Sequence, residues 1–175
     1  MGPALLDALQ SGLGAHEALA KVISVATHPE FRQLTVVDNT GESAVYSGAK
    51  SLGINAEVTA KNVAAAGNML ANADVIQAMV DAFNATYDNE LADRLIQALE
   101  AGVKAGGEAG PVHSAAVIVA TEVSWPTTNL RVDWDEDPIS KLREIYKVWA
   151  PQSQDYLTRA LNPNTAPSYG VPGDE

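Results

Sequence analysis

The sequence predicts an α+β fold in which helices cover antiparallel sheets. Three observations predict it: amphipathic stripes at helical spacing, two pairs of β-rich runs separated by turn residues, and the order helices, hairpin, two helices, hairpin, helix. A hydrophobic content of 46% with scattered charge belongs to a globular chain, and 175 residues is enough for a packed core.

Each element follows from its local pattern. Residues 3–11 open a helix: Pro3 suits a first turn, where the missing amide hydrogen costs nothing. Leu5, Leu6 and Leu9 then share one face, and Ser11-Gly12 stops it. Residues 15–26 present Leu19, Val22, Ile23 and Ala26, and His28-Pro29 ends that helix. The period then changes. Leu34, Val36 and Val37, the turn residues Asp38-Asn39-Thr40-Gly41, and Ala44–Ser47 predict a hairpin. Residues 49–70, rich in small side chains, read as a surface or site loop with a short strand at best. Asn72 then caps a helix carrying Val75, Ile76, Met79, Val80 and Phe83. Leu91, Leu95, Ile96, Leu99 and Val103 mark another, closed by Gly106-Gly107. The nearly continuous apolar run "SAAVIVA" predicts a strand around Val117 and Val119 buried on both faces, with "NLRVDWD" as hairpin partner. Asp137-Pro138 caps and starts a last helix with Ile139, Leu142, Ile145, Tyr146 and Trp149 inward. Pro151 kinks it, and a further turn or two reaches Leu161. From Asn162 the composition predicts an irregular tail. The expectation is one domain over 1–161, with 162–175 as tail and only four strands.

Composition narrows the function. Eleven basic against 22 acidic residues give a formal charge of −11, which repels phosphate backbones and anionic lipid, so nucleic acid and membrane are excluded as partners. No run of roughly 18 apolar residues is present. Zero cysteines remove disulfides, thiolate catalysis and thiolate metal sites. No signal-peptide pattern opens the chain, which makes the cytoplasm the expected compartment.

Few residues offer chemistry. Gly67-Asn68 is the candidate catalytic pair: an asparagine amide beside backbone N–H groups is suited to a developing oxyanion, and the same dipeptide is also common turn chemistry. Arg32 and Arg131, at strand starts in an acidic protein, are candidate substrate-binding residues able to hold a carboxylate by two parallel hydrogen bonds; pairing with a surface acid is the plainer reading. His113-Ser114 is no nucleophile–base pair, because neighbours on a strand point to opposite faces. His16 and His28 sit at helix ends. Asp133, Asp135, Asp137 and Glu144 echo a calcium loop, yet Pro138 occupies the position where such a loop needs glycine, so no metal is expected. No P-loop, GxGxxG or zinc spacing appears, and no cofactor is expected.

The stretches "GPALLDALQSG", "FRQLTVVDNTGESAVYSG", "GNML", "SAAVIVA" and "LRVDWDEDPISKLREIY" occur in an order that resembles an uncharacterised bacterial and archaeal family of unknown function, grouped by fold with the N-terminal-nucleophile hydrolases. The resemblance runs from Gly2 to about Trp149. It implies an αββα sandwich, two antiparallel sheets face to face with helices outside. It also implies hydrolysis of a C–N bond in a small amide-containing substrate by an N-terminal Thr, Ser or Cys. Full-length relatives begin with additional strands and a small hydroxyl residue, so the expectation is a chain that lacks the nucleophile and the opening strands. Such a chain is expected to be inactive alone and to form a homo-oligomer or take a strand from a partner. Some relatives carry a peptidoglycan-binding domain, which gives the alternative expectation of a non-catalytic binding or assembly subunit linked to the cell wall.

Overall fold

The computed structural model describes residues 1–169. Helices α1 (Gly2–Gln10) and α2 (Ala15–Ser24) precede the hairpin β1 (Gln33–Val37) and β2 (Ser43–Ser47). A second hairpin follows, β3 (Ile54–Ala60) and β4 (Val63–Leu70). Then come α3 (Asp74–Ala85), α4 (Leu91–Lys104), the hairpin β5 (Ala115–Ala120) and β6 (Pro126–Val132), α5 (Pro138–Trp149) and α6 (Ser153–Leu161). The described residues therefore form a mixed α+β fold in which three two-stranded antiparallel sheets are flanked by helices. No helix among them is long and apolar enough to cross a membrane.

The chain divides into two compact units. The first comprises Met1–Asn89 with Gln97–Val112, and the second comprises Glu90–Ile96 with His113 onward. In the first unit α2 lies on β1–β2 with α1 packed against α2, the β1–β2 ribbon packs against β3–β4, and α3 covers β3–β4. One core forms between Leu5, Ala8, Leu19 and Val22 of the helices and Val36 and Ala44 of the strands. A second joins Leu70 to Val75 and Ile76, with Ala56, Val58 and Ala65 against them. Burying each larger aliphatic here contributes about 1.5–3 kcal/mol. In the second unit α5 packs on β5–β6.

Two expectations, on residues 49–70 and on the strand around Val117, are corrected, and the cover of α1 is found within the chain. Residues 49–70 are no loop: β3 and β4 form a full hairpin, so there are six strands among the described residues rather than four. The face of α1 is covered within the chain, with Leu5 buried, Leu9 packed on the core, and only Leu6 turned to solvent. The β5 strand is buried on one face, not two. Val117 and Val119 point inward while Ile118 is 60% exposed. A continuous apolar run carries no phase information, so periodicity could not separate these cases. The other predicted helices and hairpins form where their patterns place them, and Pro151 lies in the 3₁₀ turn that joins α5 to α6. The tail holds one 3₁₀ turn at Pro163–Thr165 and no further regular structure to residue 169; residues 170–175 lie outside the described ones.

Asp38 ties the α2 layer to the first hairpin. Its Oδ1 accepts from Thr40 N, Thr40 Oγ1 and Glu42 N, and its Oδ2 accepts from Ala15 N at the start of α2. The Thr40 hydroxyl bond, with the three amides, outweighs desolvation and lowers the carboxyl to about 2. Its folded pKa thus lies below its unfolded value of about 3.9. The contribution to stability is present above that value and disappears as pH falls through about 2. Asp38→Asn is expected to lower the melting temperature at pH 7, and the gap to wild type should narrow between about pH 4 and pH 2. Calorimetry over that range checks this; a gap independent of pH would remove the carboxylate from the account.

Candidate functional site

Gly67 and Asn68 sit on β4, not in a loop, which corrects their expected placement. The ladder there is irregular. Gly67 pairs with Ala56 and Leu70 with Ile54, so Asn68 and Met69 together oppose the single residue Asn55. This is a β-bulge, and Met69 within it takes a left-handed backbone at φ +55°. A non-glycine residue in that region is strained, and its surroundings must hold it there. Two backbone bonds do so: Met69 N donates to Leu52 O at 2.8 Å, and Ala109 N donates to Met69 O at 2.7 Å.

The bulge sets the Asn68 side chain. Its Nδ2 lies 3.5 Å from Leu52 O, a long contact that leaves the amide able to serve another acceptor. Gly67 is packed for a different reason: a Cβ there would come within 2.9 Å of Ile76 Cδ1, so glycine lets α3 approach the strand. Gln33, which the sequence reading overlooked, completes the surroundings. Its Nε2 donates to Ser47 Oγ at 2.9 Å and to Gly67 O at 3.0 Å, linking the first ribbon to the carbonyl just before Asn68. The signal available in sequence was a polar residue at a strand start, which alone says nothing of reach across ribbons. The site is therefore a set of neutral polar groups on a pinned, irregular strand. It can donate hydrogen bonds to an anionic or carbonyl oxygen.

The other candidates fall elsewhere. Arg32 precedes Gln33 in extended backbone, so the two side chains leave on opposite sides and Arg32 is not directed at Gly67. Arg131 belongs to the second unit, where its guanidinium meets Asp133 at 2.7–2.8 Å with both side chains mostly exposed. Such a pair is worth little. His113 stacks on Trp134 with ring centroids 4.0 Å apart, and its Nδ1 is 3.3 Å from Asp135 O. Asp135 and Asp137 accept from their own backbone, Asp135 from Asp137 N and Asp137 from Ser140 N, which makes this acidic run a turn and helix cap.

The crystal structure of the protein SPO2555 from Silicibacter pomeroyi, itself placed in DUF1028, superposes with a TM-score of 0.76 at 31% identity over 85% of this chain. This chain spans 66% of the length of that structure. No functionally curated protein matches. Residues 1–142 match the family of unknown function DUF1028. The chain belongs to the DUF1028 family.

Proposed function

We propose that the chain carries part of the site of an amide hydrolase of the N-terminal-nucleophile kind, acting on a small amide in the cytoplasm, with Asn68 as oxyanion donor. One observation carries this reading: the bulge at Asn68–Met69, held in a strained conformation by backbone bonds on both sides, aims a weakly engaged amide. The succession of helix, ribbon, ribbon and helix in the first unit supports it. An amide already held in place stabilises a tetrahedral oxyanion without reorganising. In this reading the attacking group and its base are supplied from outside residues 1–175, and Arg32 or Arg131 meets a substrate carboxylate.

The test uses a longer family member with asparagine at this position, assayed on a panel of small amides. Asn68→Ala is expected to lower kcat by roughly 10²-fold with folding intact. Unchanged kinetics would reassign Asn68 to turn geometry. The neutrality of the Gln33–Ser47–Asn68 surroundings favours a second reading, a non-catalytic binding or assembly subunit, and absence of turnover in every longer member selects it.

The proposed macromolecular partner is a second copy of the chain. Each two-stranded sheet leaves outer edges unpaired in its own ladder, and the outward face of β5–β6 presents Ile118 to solvent. Sedimentation at micromolar concentration is expected to show a dimer or larger species that Ile118→Lys shifts toward monomer; a wild-type monomer would refute this.

A further inference from the structure

Met69 holds a backbone conformation that its residue type adopts only at a cost. At φ +55° it lies in the left-handed region, which glycine and asparagine enter readily and a long unbranched side chain does not. Burial does little to offset that cost, because Met69 is 46% exposed. Strain held at an exposed side chain points to a use for that side chain outside the core.

The side chain lies beside the Asn68 amide. Asn68 Nδ2 is 3.5 Å from Leu52 O, and Met69 Cγ is 3.8 Å from the place a Cβ on Gly53 would take. Leu52 and Gly53 share a peptide bond, so amide and thioether rest against the same turn. Gly53 makes room for them: it takes φ +66°, and a Cβ there would stand 3.1 Å from Met69 Cα. We infer that Met69 is a specificity-determining residue, whose side chain receives a neutral apolar group bonded to the carbonyl carbon whose oxygen Asn68 holds. The inference rests on the reading of Asn68 as oxyanion donor, and it names the substrate class of that site as amides of short aliphatic acids.

The surroundings favour that class. Methionine is flexible and polarisable, and it fits apolar groups of varied shape. Residues 51–56 and 63–71, the stretches on either side of the bulge, carry no ionisable side chain. Glu108, bridged to Leu70, adds negative charge at this end of β4, which disfavours an acyl group that is itself an anion.

Met69→Asn separates a ligand-binding role from a packing role. Asparagine tolerates the left-handed backbone, so this variant is expected to melt at or above the wild-type temperature. A fall of more than about 3 °C would make Met69 a packing residue and overturn the inference. Binding is read on this chain labelled at the methionine methyls, of which Met1, Met69 and Met79 are the three. The probes are isovaleramide, acetamide, succinamate and glycinamide, each to about 0.1 M. Isovaleramide is expected to shift the Met69 methyl and the Asn68 side-chain amide saturably and to bind roughly tenfold tighter than acetamide, an effect within reach of its three added carbons. Met69→Asn should erase that preference, and Asn68→Ala should weaken both amides. No saturable shift at Met69, equal binding of the two amides, or a preference for succinamate or glycinamide would each overturn the inference. None of these outcomes needs turnover. The preference in this chain together with inactivity of every longer family member would keep Met69 as a binding residue and remove the hydrolase reading. Turnover in a longer member that depends on Asn68 but not on the acyl group would keep that reading and remove the role of Met69.

Discussion

Leu142→Ala is expected to lower stability by about 3–4 kcal/mol, within the range for large-to-small changes at sites that cannot collapse. Leu142 is 0% exposed on α5, the helix that packs on β5–β6. Removing its isobutyl group deletes transfer energy and leaves a cavity bounded by a two-stranded sheet, which has little freedom to close it. All three tryptophans, Trp125, Trp134 and Trp149, belong to the second unit, so tryptophan fluorescence during urea unfolding reports on the region perturbed. A midpoint unchanged from wild type would mean that α5 repacks, and that Tyr146 and the Arg143–Asp93 ion pair hold the unit instead.

That expectation was legible in sequence because α5 announces itself. Asp137-Pro138 supplies the cap, and Leu142 and Tyr146 fall one turn apart on the buried face. The helices were legible for the same reason: a stripe at helical spacing survives whatever covers it. The first hairpin was legible through Asp38-Asn39-Thr40-Gly41 between β-rich runs. The second was not. "AKNVAAAGNML" is built from small residues with weak strand preference, and β3–β4 exists because α3 and the first ribbon both pack against it. Its inward residues are small because the layers approach closely, as the Gly67–Ile76 distance shows.

The candidate site was legible only as residue types. Asn68 can be singled out from a Gly-Asn pair, yet what gives it an aim is the bulge, a property of register between two strands. Gln33 lies 34 residues from Gly67, and nothing local to either predicts their bond. Arg32 and Arg131, equivalent in sequence as basic residues at strand starts, part company in the fold, one beside Gln33 and the other paired to Asp133 in the second unit. Long-range reach and phase are tertiary facts, and the site depends on both.

Gly48→Ala tests whether the first ribbon holds that site in register. Gly48 closes β2, and its N–H donates to Arg32 O at 2.8 Å while Lys50 N donates to Glu30 O at 2.7 Å. These bonds fold residues 29–32 over the end of the ribbon, next to Gln33 and Ser47. A Cβ on residue 48 would lie 2.3 Å from Glu30 O and 2.5 Å from Pro29 O. Both obstacles are backbone, so no rotamer change relieves them, and the 29–32 turn must move away. The expected cost is about 3 kcal/mol, at the upper end for overpacking. That corresponds to a fall in melting temperature of roughly 6–12 °C for a chain of this size. The displacement should also break the Gln33 bridge, because Gln33 follows Arg32 directly. The Gln33 side-chain amide resonances should then lose the signature of a doubly bonded NH₂, and the Gly67 and Asn68 amides should shift with them. Gln33→Ala separates the two effects. It should reproduce the shifts at Gly67 and Asn68 while costing only about 1 kcal/mol, the usual net value of a side-chain hydrogen bond. A Gly48→Ala protein that melts like wild type, or one that is destabilised with Gly67 and Asn68 undisturbed, would show that β4 keeps its bulge without help from the first ribbon.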